Sequence, residues 1–179
     1  MKFFKEKAEL YVPDKVSEGE ALKRTTHVAI GAHQDDLEIM AAAGILECYG
    51  QKSQWFLGVT LTNGAGSPRA GLYGKTSDEE MQIIRQEEQR RAAAVGEYSA
   101  MAQLLYTSSE IKNPADKNII ADLKQLLLAT KPGTVYTHNL ADKHDTHVGV
   151  AVKVIQALRE LPVDARPKKL YGCEVWRNL

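Results

Sequence analysis

The sequence predicts a single α/β domain in which helices cover both faces of a mostly parallel sheet. Short runs rich in β-branched and apolar residues alternate along the chain with longer stretches of helical character. The central short runs are apolar at nearly every position, which is typical of parallel strands that are buried on both faces. The length of 179 residues fits one such domain. We therefore expect a Rossmann-like fold.

The predicted domain begins near Thr26. Residues 1–25 carry charges throughout and lack the apolar core of a signal peptide, so we expect a partly helical or extended lead-in. Residues 26–179 then form the domain, whose C-terminal part stops soon after the last strand and is interpreted as truncated or minimal. The strands are predicted at His27–Ala32, Gln54–Thr62, Ala102–Tyr106, Thr134–His138 and Lys169–Trp176.

Four helices are predicted between these strands. Ser77 followed by three acidic residues is typical of a helix N-terminus, and Lys131-Pro132-Gly133 ends a helix. The helices are predicted at Asp35–Tyr49, Ser77–Glu97, Asn118–Thr130 and Thr146–Leu161.

Composition excludes several classes of partner. The formal net charge is zero and the pI is about 7.0, so nothing favours nucleic acid or an anionic membrane. No stretch approaches the roughly 18 apolar residues of a membrane span.

Cys48 and Cys173 match no metal or redox spacing, and free thiols in a reducing compartment are expected. A cytoplasmic location follows by default.

Dinucleotide binding is also disfavoured. The first predicted strand is followed by "GAHQDD" and not by a glycine triplet, and its two carboxylates would repel a pyrophosphate. The glycine-containing loop 63–76 ends in Gly74-Lys75-Thr76 but does not match the full phosphate-binding pattern G-x-x-x-x-G-K-[ST], because Arg69 stands at the position of its first glycine. Because this loop follows a strand, we expect it at the sheet edge where α/β proteins bind ligands.

Ionisable residues concentrate at two of these strand ends. His33, Asp35 and Asp36 follow the first strand, where one aspartate would suffice to cap the helix. His144 and His147 follow the fourth strand and share one face of a helix start. Two histidines and a carboxylate with an open position are a catalytic zinc set, so the sequence predicts a metal site at this edge. His27 lies at the opposite edge and is interpreted as structural.

The motifs "AHQDD" and "HDTH" resemble the AHPDD and H-x-x-H elements of the PIG-L/LmbE family of metal-dependent de-N-acetylases. "LTNGAG" and the helix "RQEEQRRAAAVG" are also similar to that family. The resemblance implies that His33, Asp36 and His147 bind zinc, with Fe(II) as an alternative. It further implies Asp35 as general base and His144 as electrostatic or acid partner. Arg85 and Glu88 would hold their helix to the metal loops.

The chain departs from the family pattern at two positions. Gln34 stands where proline is common, which leaves His33 and Asp36 in register. Thr146 stands where many members carry an aspartate that supports the first histidine of the second motif. Asp145 or Asp142 could take over this support, or the basicity of His144 could be lower.

The resemblance implies zinc-dependent removal of an N-acetyl group from an N-acetylglucosamine-like sugar or conjugate. Two alternatives stay open: a metal-binding or sugar-binding module without catalysis, and a hydrolase of another amide. The expected partner is a small N-acyl sugar, and polar residues of the long loop would contact its hydroxyls. The candidates for these contacts are Asn63, Arg69 and Tyr73.

Overall fold

A computed structural model of the protein describes residues 1–176 and contains a sheet of six strands. The strand order is β1-β4-β3-β2-β5-β6. β1 pairs antiparallel with β4, and every other neighbouring pair is parallel. The strands are β1 (Glu9–Tyr11), β2 (His27–Gly31), β3 (Phe56–Thr62), β4 (Ala100–Tyr106), β5 (Thr134–His138) and β6 (Lys169–Cys173).

Helices cover both faces of this sheet, which confirms the predicted fold class. They are α1 (Glu18–Arg24), α2 (Asp36–Met40), α3 (Ala42–Cys48), α4 (Asp78–Val95), α5 (Ser108–Lys112), α6 (Asn118–Thr130) and α7 (Asp145–Arg159). Each face has its own core, because successive strand residues point to opposite sides. In β2, Val28 and Ile30 join the core beneath α6 and α7, whereas Ala29 joins the core beneath α2 and α3.

The first 25 residues differ from the predicted lead-in because they belong to the fold. β1 extends the sheet beyond β4 by pairing Glu9 with Gln103. Ser17 and Glu20 form a reciprocal capping box that starts α1, and the side chain of Phe3 is buried in the core. A strand of three residues is too short to show a period of two, so its pattern could not reveal it.

Apart from shifts of one or two residues at other element ends, three further differences separate the structure from the prediction. The predicted helix 35–49 is divided at Ala41, whose backbone leaves the helical region (φ −113°, ψ 18°). The short helix α5 was not predicted. β6 ends at Cys173, so residues 174–176 leave the sheet instead of continuing the strand.

Across residues 1–176, no helix combines the length and apolar character that a membrane crossing needs.

Candidate metal centre and its cleft

The candidate site is built where β2 and β5 end side by side. The two strands are parallel neighbours, so their carboxyl ends meet at the same edge of the sheet. The segment after β2 carries His33 to Asp36, and the segment after β5 leads to His147 in the first turn of α7. This adjacency brings together two motifs that lie more than one hundred residues apart.

Three donor atoms form a nearly equilateral triangle at this edge. Nδ1 of His33 lies 3.2 Å from Nε2 of His147 and 3.3 Å from Oδ2 of Asp36. The remaining side, from Nε2 of His147 to Oδ2 of Asp36, measures 3.5 Å. Tetrahedral zinc with ligands at 2.0–2.1 Å separates those ligands by about 3.4 Å. The donor set and its spacing therefore fit zinc, and two histidines with one carboxylate also suit Fe(II).

Asp36 is almost fully buried and is held as a carboxylate. Its Oδ2 accepts a hydrogen bond of 2.7 Å from the backbone N–H of His33 and lies 3.3 Å from Nε2 of His138. Burial by itself would raise the pKa of Asp36, but the adjacent His138 and His33 hold that pKa far below its usual value. The group is therefore ready to bind a cation at neutral pH.

His147 is oriented by Asp142. Oδ2 of Asp142 lies 3.0 Å from Nδ1 of His147, which leaves Nε2 directed at the donor triangle. Burial and then the nearby His138 lower the pKa of His147, which favours the neutral, metal-binding form. Oδ1 of Asp142 also accepts the backbone N–H of His144 at 2.9 Å. Asp142 therefore orients His147 directly and holds the backbone of His144.

His138 completes the floor of the site, although no role was predicted for it from the motifs. Its ring stacks on that of His147, with 3.9 Å between centroids and planes 8° apart. Its Nε2 accepts the backbone N–H of Ala32 at 2.9 Å. A second possible ligand set joins His138, Asp142 and His147, but the direct hydrogen bond from His147 to Asp142 identifies this group as support for the donor triangle.

Asp35 has an unusual backbone and an accessible carboxylate. Its φ of 94° is rare for a residue with a side chain, and such strain is often found at functional sites. The side chain is 64% exposed and lines the cleft, where Oδ2 accepts from Arg85 at 2.9 Å. Desolvation in the cleft raises the pKa of Asp35 against the opposing effect of Arg85.

Arg85 joins α4 to the loop that carries Asp35. Its guanidinium donates to the carbonyl of Gln34 and to the carboxylates of Asp35 and Glu88. Gln34 in turn donates its side-chain amide to the carbonyl of Thr62 at 3.1 Å, which fixes the same loop to the end of β3. The glutamine thus makes a cross-link that proline could not make.

His144 is the N-cap of α7. Its Nδ1 accepts the backbone N–H of Thr146 at 3.2 Å, so a neutral ring carries its proton on Nε2. The ring lies beside the donor triangle, with its centroid 4.5 Å from that of His147 and 5.1 Å from that of His33. Nδ1 is 3.6 Å from Asp145, whose carboxylate is mainly engaged by Lys112.

A cleft of about 650 Å³ opens beside the triangle. Asn63 and Tyr73 line it, as does Trp176, which the sequence motifs did not indicate. Arg69 does not belong to the cleft lining. Its guanidinium instead bonds the backbone carbonyls of Ala65, Ser67 and Thr76 and the carboxylate of Asp78, so that it fastens the long loop to α4.

Comparison with known families gives one match over most of the chain. Residues 28–158 match the PIG-L family, described as GlcNAc-PI de-N-acetylase. This segment contains both motifs of the donor triangle. A search of curated protein sequences found no significant match.

Several solved structures are similar in fold. N,N'-diacetylchitobiose deacetylase from Pyrococcus horikoshii has a TM-score of 0.65 and 19% identity, with 79% of this chain and 52% of that chain covered. The 4-carboxy-2-hydroxymuconate hydratase GalB from Pseudomonas putida KT2440 has a TM-score of 0.61 and 19% identity, with 83% and 62% covered. The zinc-inhibited form of teicoplanin deacetylase Orf2 has a TM-score of 0.60 and 16% identity, with 76% and 64% covered. The chain therefore spans about half to two thirds of the length of these proteins.

Proposed function

The chain belongs to the PIG-L family, and from this premise we propose that it is a zinc-dependent hydrolase that removes the N-acetyl group from an N-acetylglucosamine-like sugar or conjugate. The observation that carries the proposal is the donor triangle of His33, Asp36 and His147, whose sides of 3.2, 3.3 and 3.5 Å match the ligand spacing of a catalytic zinc site. Fe(II) is the alternative metal for the same donors.

The three donors leave one side of the site open to the cleft. His33 lies on that side, whereas Asp36 and His147 are buried beneath it. When bound there, the metal supplies Lewis acidity that polarises an amide carbonyl and makes a water molecule more acidic. The protein supplies the position of the substrate and the groups that move protons.

Asp35 is the proposed general base. Its carboxylate belongs to the ligand loop, between His33 and Asp36, and is accessible from the cleft, where it removes a proton from the water that attacks the acetyl carbon. The raised pKa of Asp35 makes its carboxylate a stronger base than that of an ordinary aspartate, which favours removal of a proton from the water. Arg85 holds only Oδ2 of the group, which leaves Oδ1 for the water. The proton is then returned to the leaving amine as the C–N bond breaks.

His144 is the proposed donor to the oxyanion. With Nδ1 engaged by the backbone of Thr146, the neutral ring presents Nε2–H, which donates to no group among residues 1–176. A neutral N–H donor beside the donor triangle stabilises the negative charge that develops on the carbonyl oxygen. A neutral imidazole is sufficient for this role. A carboxylate at position 146, which would stabilise a cationic ring, is therefore not required.

The hydratase GalB provides a rival function on the same fold, since it is named for a carboxylated substrate. A substrate of that kind needs an unpaired cation in the cleft. Among the described lining residues, the guanidinium of Arg85 is already engaged by the carboxylates of Asp35 and Glu88. Arg85 is therefore not available to bind a substrate carboxylate, and the release of acetate from an N-acetyl sugar distinguishes the two functions.

Release of acetate from N-acetylated sugars tests the proposal. Metal-loaded protein should hydrolyse methyl N-acetylglucosaminide or a related conjugate, and Asp35→Asn should keep the metal while turnover falls by about 100-fold or more. A panel of N-acetyl amides without a sugar tests the alternative amide hydrolase. Metal binding without acetate release from any of these compounds would leave the non-catalytic binding module as the function.

A further inference from the structure

Trp176 lies at the mouth of the cleft, in a position that the proposed reaction does not use. β6 ends at Cys173, whose carbonyl accepts the backbone N–H of Asn139 at the carboxyl edge of the sheet. The chain leaves the sheet there, and Val175 and Trp176 join the lining of the cleft. The indole ring is 6.0 Å from the ring of His147, with planes 15° apart.

The exposure of Trp176 argues against a purely structural role. Large aromatic side chains stabilise a fold by burial, but Trp176 is 39% exposed and belongs to neither hydrophobic core. In contrast, Phe56 and Tyr98 are fully buried and in contact with one another. A partly exposed indole on the wall of a cleft is a surface that a ligand can cover.

The charge distribution of the indole face determines which groups of a ligand it attracts. The face carries partial negative charge and attracts cations and polarised C–H groups, and here Nζ of Lys143 lies 5.2 Å from the ring centroid. Ile39 and Val175 add apolar surface to the same cleft. One face of a pyranose ring presents several C–H groups together, so it matches such a surface.

We propose that Trp176 is the platform on which the pyranose ring of the substrate stacks while its acyl group lies at the donor triangle. This inference rests on the proposed function and adds the residue that recognises the sugar. Bond lengths place the centre of a pyranose about 4 Å from the carbonyl carbon of an attached acetamido group. A pyranose ring stacked on Trp176 is therefore close enough for its acetamido group to reach the donor triangle beside His147.

The two tryptophans of the chain provide a direct binding assay. Trp55 precedes β3 at the opposite edge of the sheet, where Arg24 lies 3.6 Å from its ring centroid. In a Trp55→Phe variant, Trp176 is the sole tryptophan. Methyl N-acetylglucosaminide added to this metal-loaded variant should cause a saturable change in tryptophan emission immediately after mixing.

Two matched controls accompany this titration. A Trp176→Phe variant retains Trp55 as its sole tryptophan, and its emission should not respond to the sugar. N-acetylethanolamine has the amide without the pyranose ring, and it should not change the emission of Trp55→Phe. A response of Trp176 to the simple amide alone, or no response to the sugar at saturating concentration, would overturn the proposal.

Kinetics provide a second measure that does not depend on fluorescence. Trp176→Ala should raise KM for the glucosaminide by about tenfold, with the larger part of the loss in KM and not in kcat. Trp176→Phe keeps an aromatic face and should stay within about threefold of the wild type. Equal effects of alanine and phenylalanine on KM would contradict stacking, and metal content confirms that both variants retain the site.

The outcomes separate this inference from the proposed function. Acetate release by the wild type without any emission response of Trp55→Phe overturns the platform and leaves the hydrolase intact. A specific response to the sugar without acetate release overturns the hydrolase and supports Trp176 as a sugar-binding residue.

Discussion

At the scale of single residues, the site depends on which groups hold each donor in place. The backbone N–H of His33 donates to Asp36, and Asp142 fixes one nitrogen of His147 so that the other faces the triangle. The ring of His144 has a different support, because its Nδ1 accepts the backbone N–H of Thr146. The metal ligands and their orienting groups can therefore be tested separately.

The ligand assignment predicts the metal content of the purified protein. Wild type should hold about one zinc or iron per chain, while His33→Ala or His147→Ala should lose it because two donors bind weakly. His27→Gln, at the opposite edge, is the matched control and should keep the metal. Metal analysis by mass spectrometry measures all four proteins, and full occupancy in both alanine variants would refute the donor triangle.

The orienting role of Asp142 predicts a weaker effect on the same measurement. Asp142→Asn should reduce metal affinity about 10–100-fold, because an amide no longer fixes the tautomer and orientation of His147. Asp145→Asn removes a nearby carboxylate that contacts Lys112 at the surface, and it should not change affinity. If competition with a chelator gave equal affinity for the two variants, His147 would be oriented without Asp142.

At the scale of secondary-structure elements, the close approach of α3 to β5 decides what can occupy position 44. A Cβ on Gly44 would lie 2.7 Å from the ring of Tyr136, a distance that real Cβ contacts do not show. In α1, the space around Gly19 is open, because a Cβ added there would meet no atom within 4 Å. The two helical glycines thus differ in their tertiary surroundings.

These surroundings predict opposite effects for the same substitution. Gly44→Ala should lower the free energy of unfolding by roughly 1–3 kcal/mol, because overpacking outweighs the gain in helix propensity. Gly19→Ala should raise it by about 0.5 kcal/mol, since alanine reduces the backbone entropy of the unfolded chain. Urea denaturation measures both, and stabilisation by Gly44→Ala would show that α3 does not pack on Tyr136 so closely.

At the scale of the whole molecule, the two edges of the sheet carry different sets of ionisable groups. The carboxyl edge holds the donor triangle, while the amino edge buries His27 beside Cys48, with Sγ 3.3 Å from Nδ1. Burial lowers the pKa of His27 in spite of Glu47, and burial raises the pKa of the Cys48 thiol to about 11. Both groups are therefore neutral in the folded protein near pH 7.

The lowered pKa of His27 predicts how global stability depends on pH. Below about pH 6.5 the unfolded chain binds a proton at this histidine before the folded protein does, so the free energy of unfolding falls as pH decreases. His27→Gln removes this contribution, and its stability should fall less steeply than that of the wild type between about pH 7 and 5. Denaturation at a series of pH values measures the two slopes.

The range above about pH 7.5 is the internal control for this comparison. There His27 is neutral in both folded and unfolded chains, so the difference in stability between wild type and His27→Gln should not change with pH. Parallel curves over the whole range would show that His27 has the same pKa in both states.

The sequence by itself determined the fold class and the residues from which the site is drawn. The alternation of short apolar runs and helical stretches is a local pattern, and β5 and α6 have the bounds that it predicted. The two motifs follow strands that had to be parallel, so His33, Asp36 and His147 were expected at one edge, where the structure places them. Their roles as ligands stay a prediction.

Only the tertiary structure decided which partner each polar group takes. Asp142 and Asp145 were equal candidates from the sequence for the support of His144, but the carboxylate of Asp142 reaches the ring of His147 and only the backbone N–H of His144, while Lys112 engages Asp145. The same packing directs Arg69 to the loop carbonyls and carries Trp176 from the end of β6 to the cleft. Periodicity depends on neighbours along the chain, whereas a hydrogen-bond partner is fixed by distances of about 3 Å between segments that are remote in sequence.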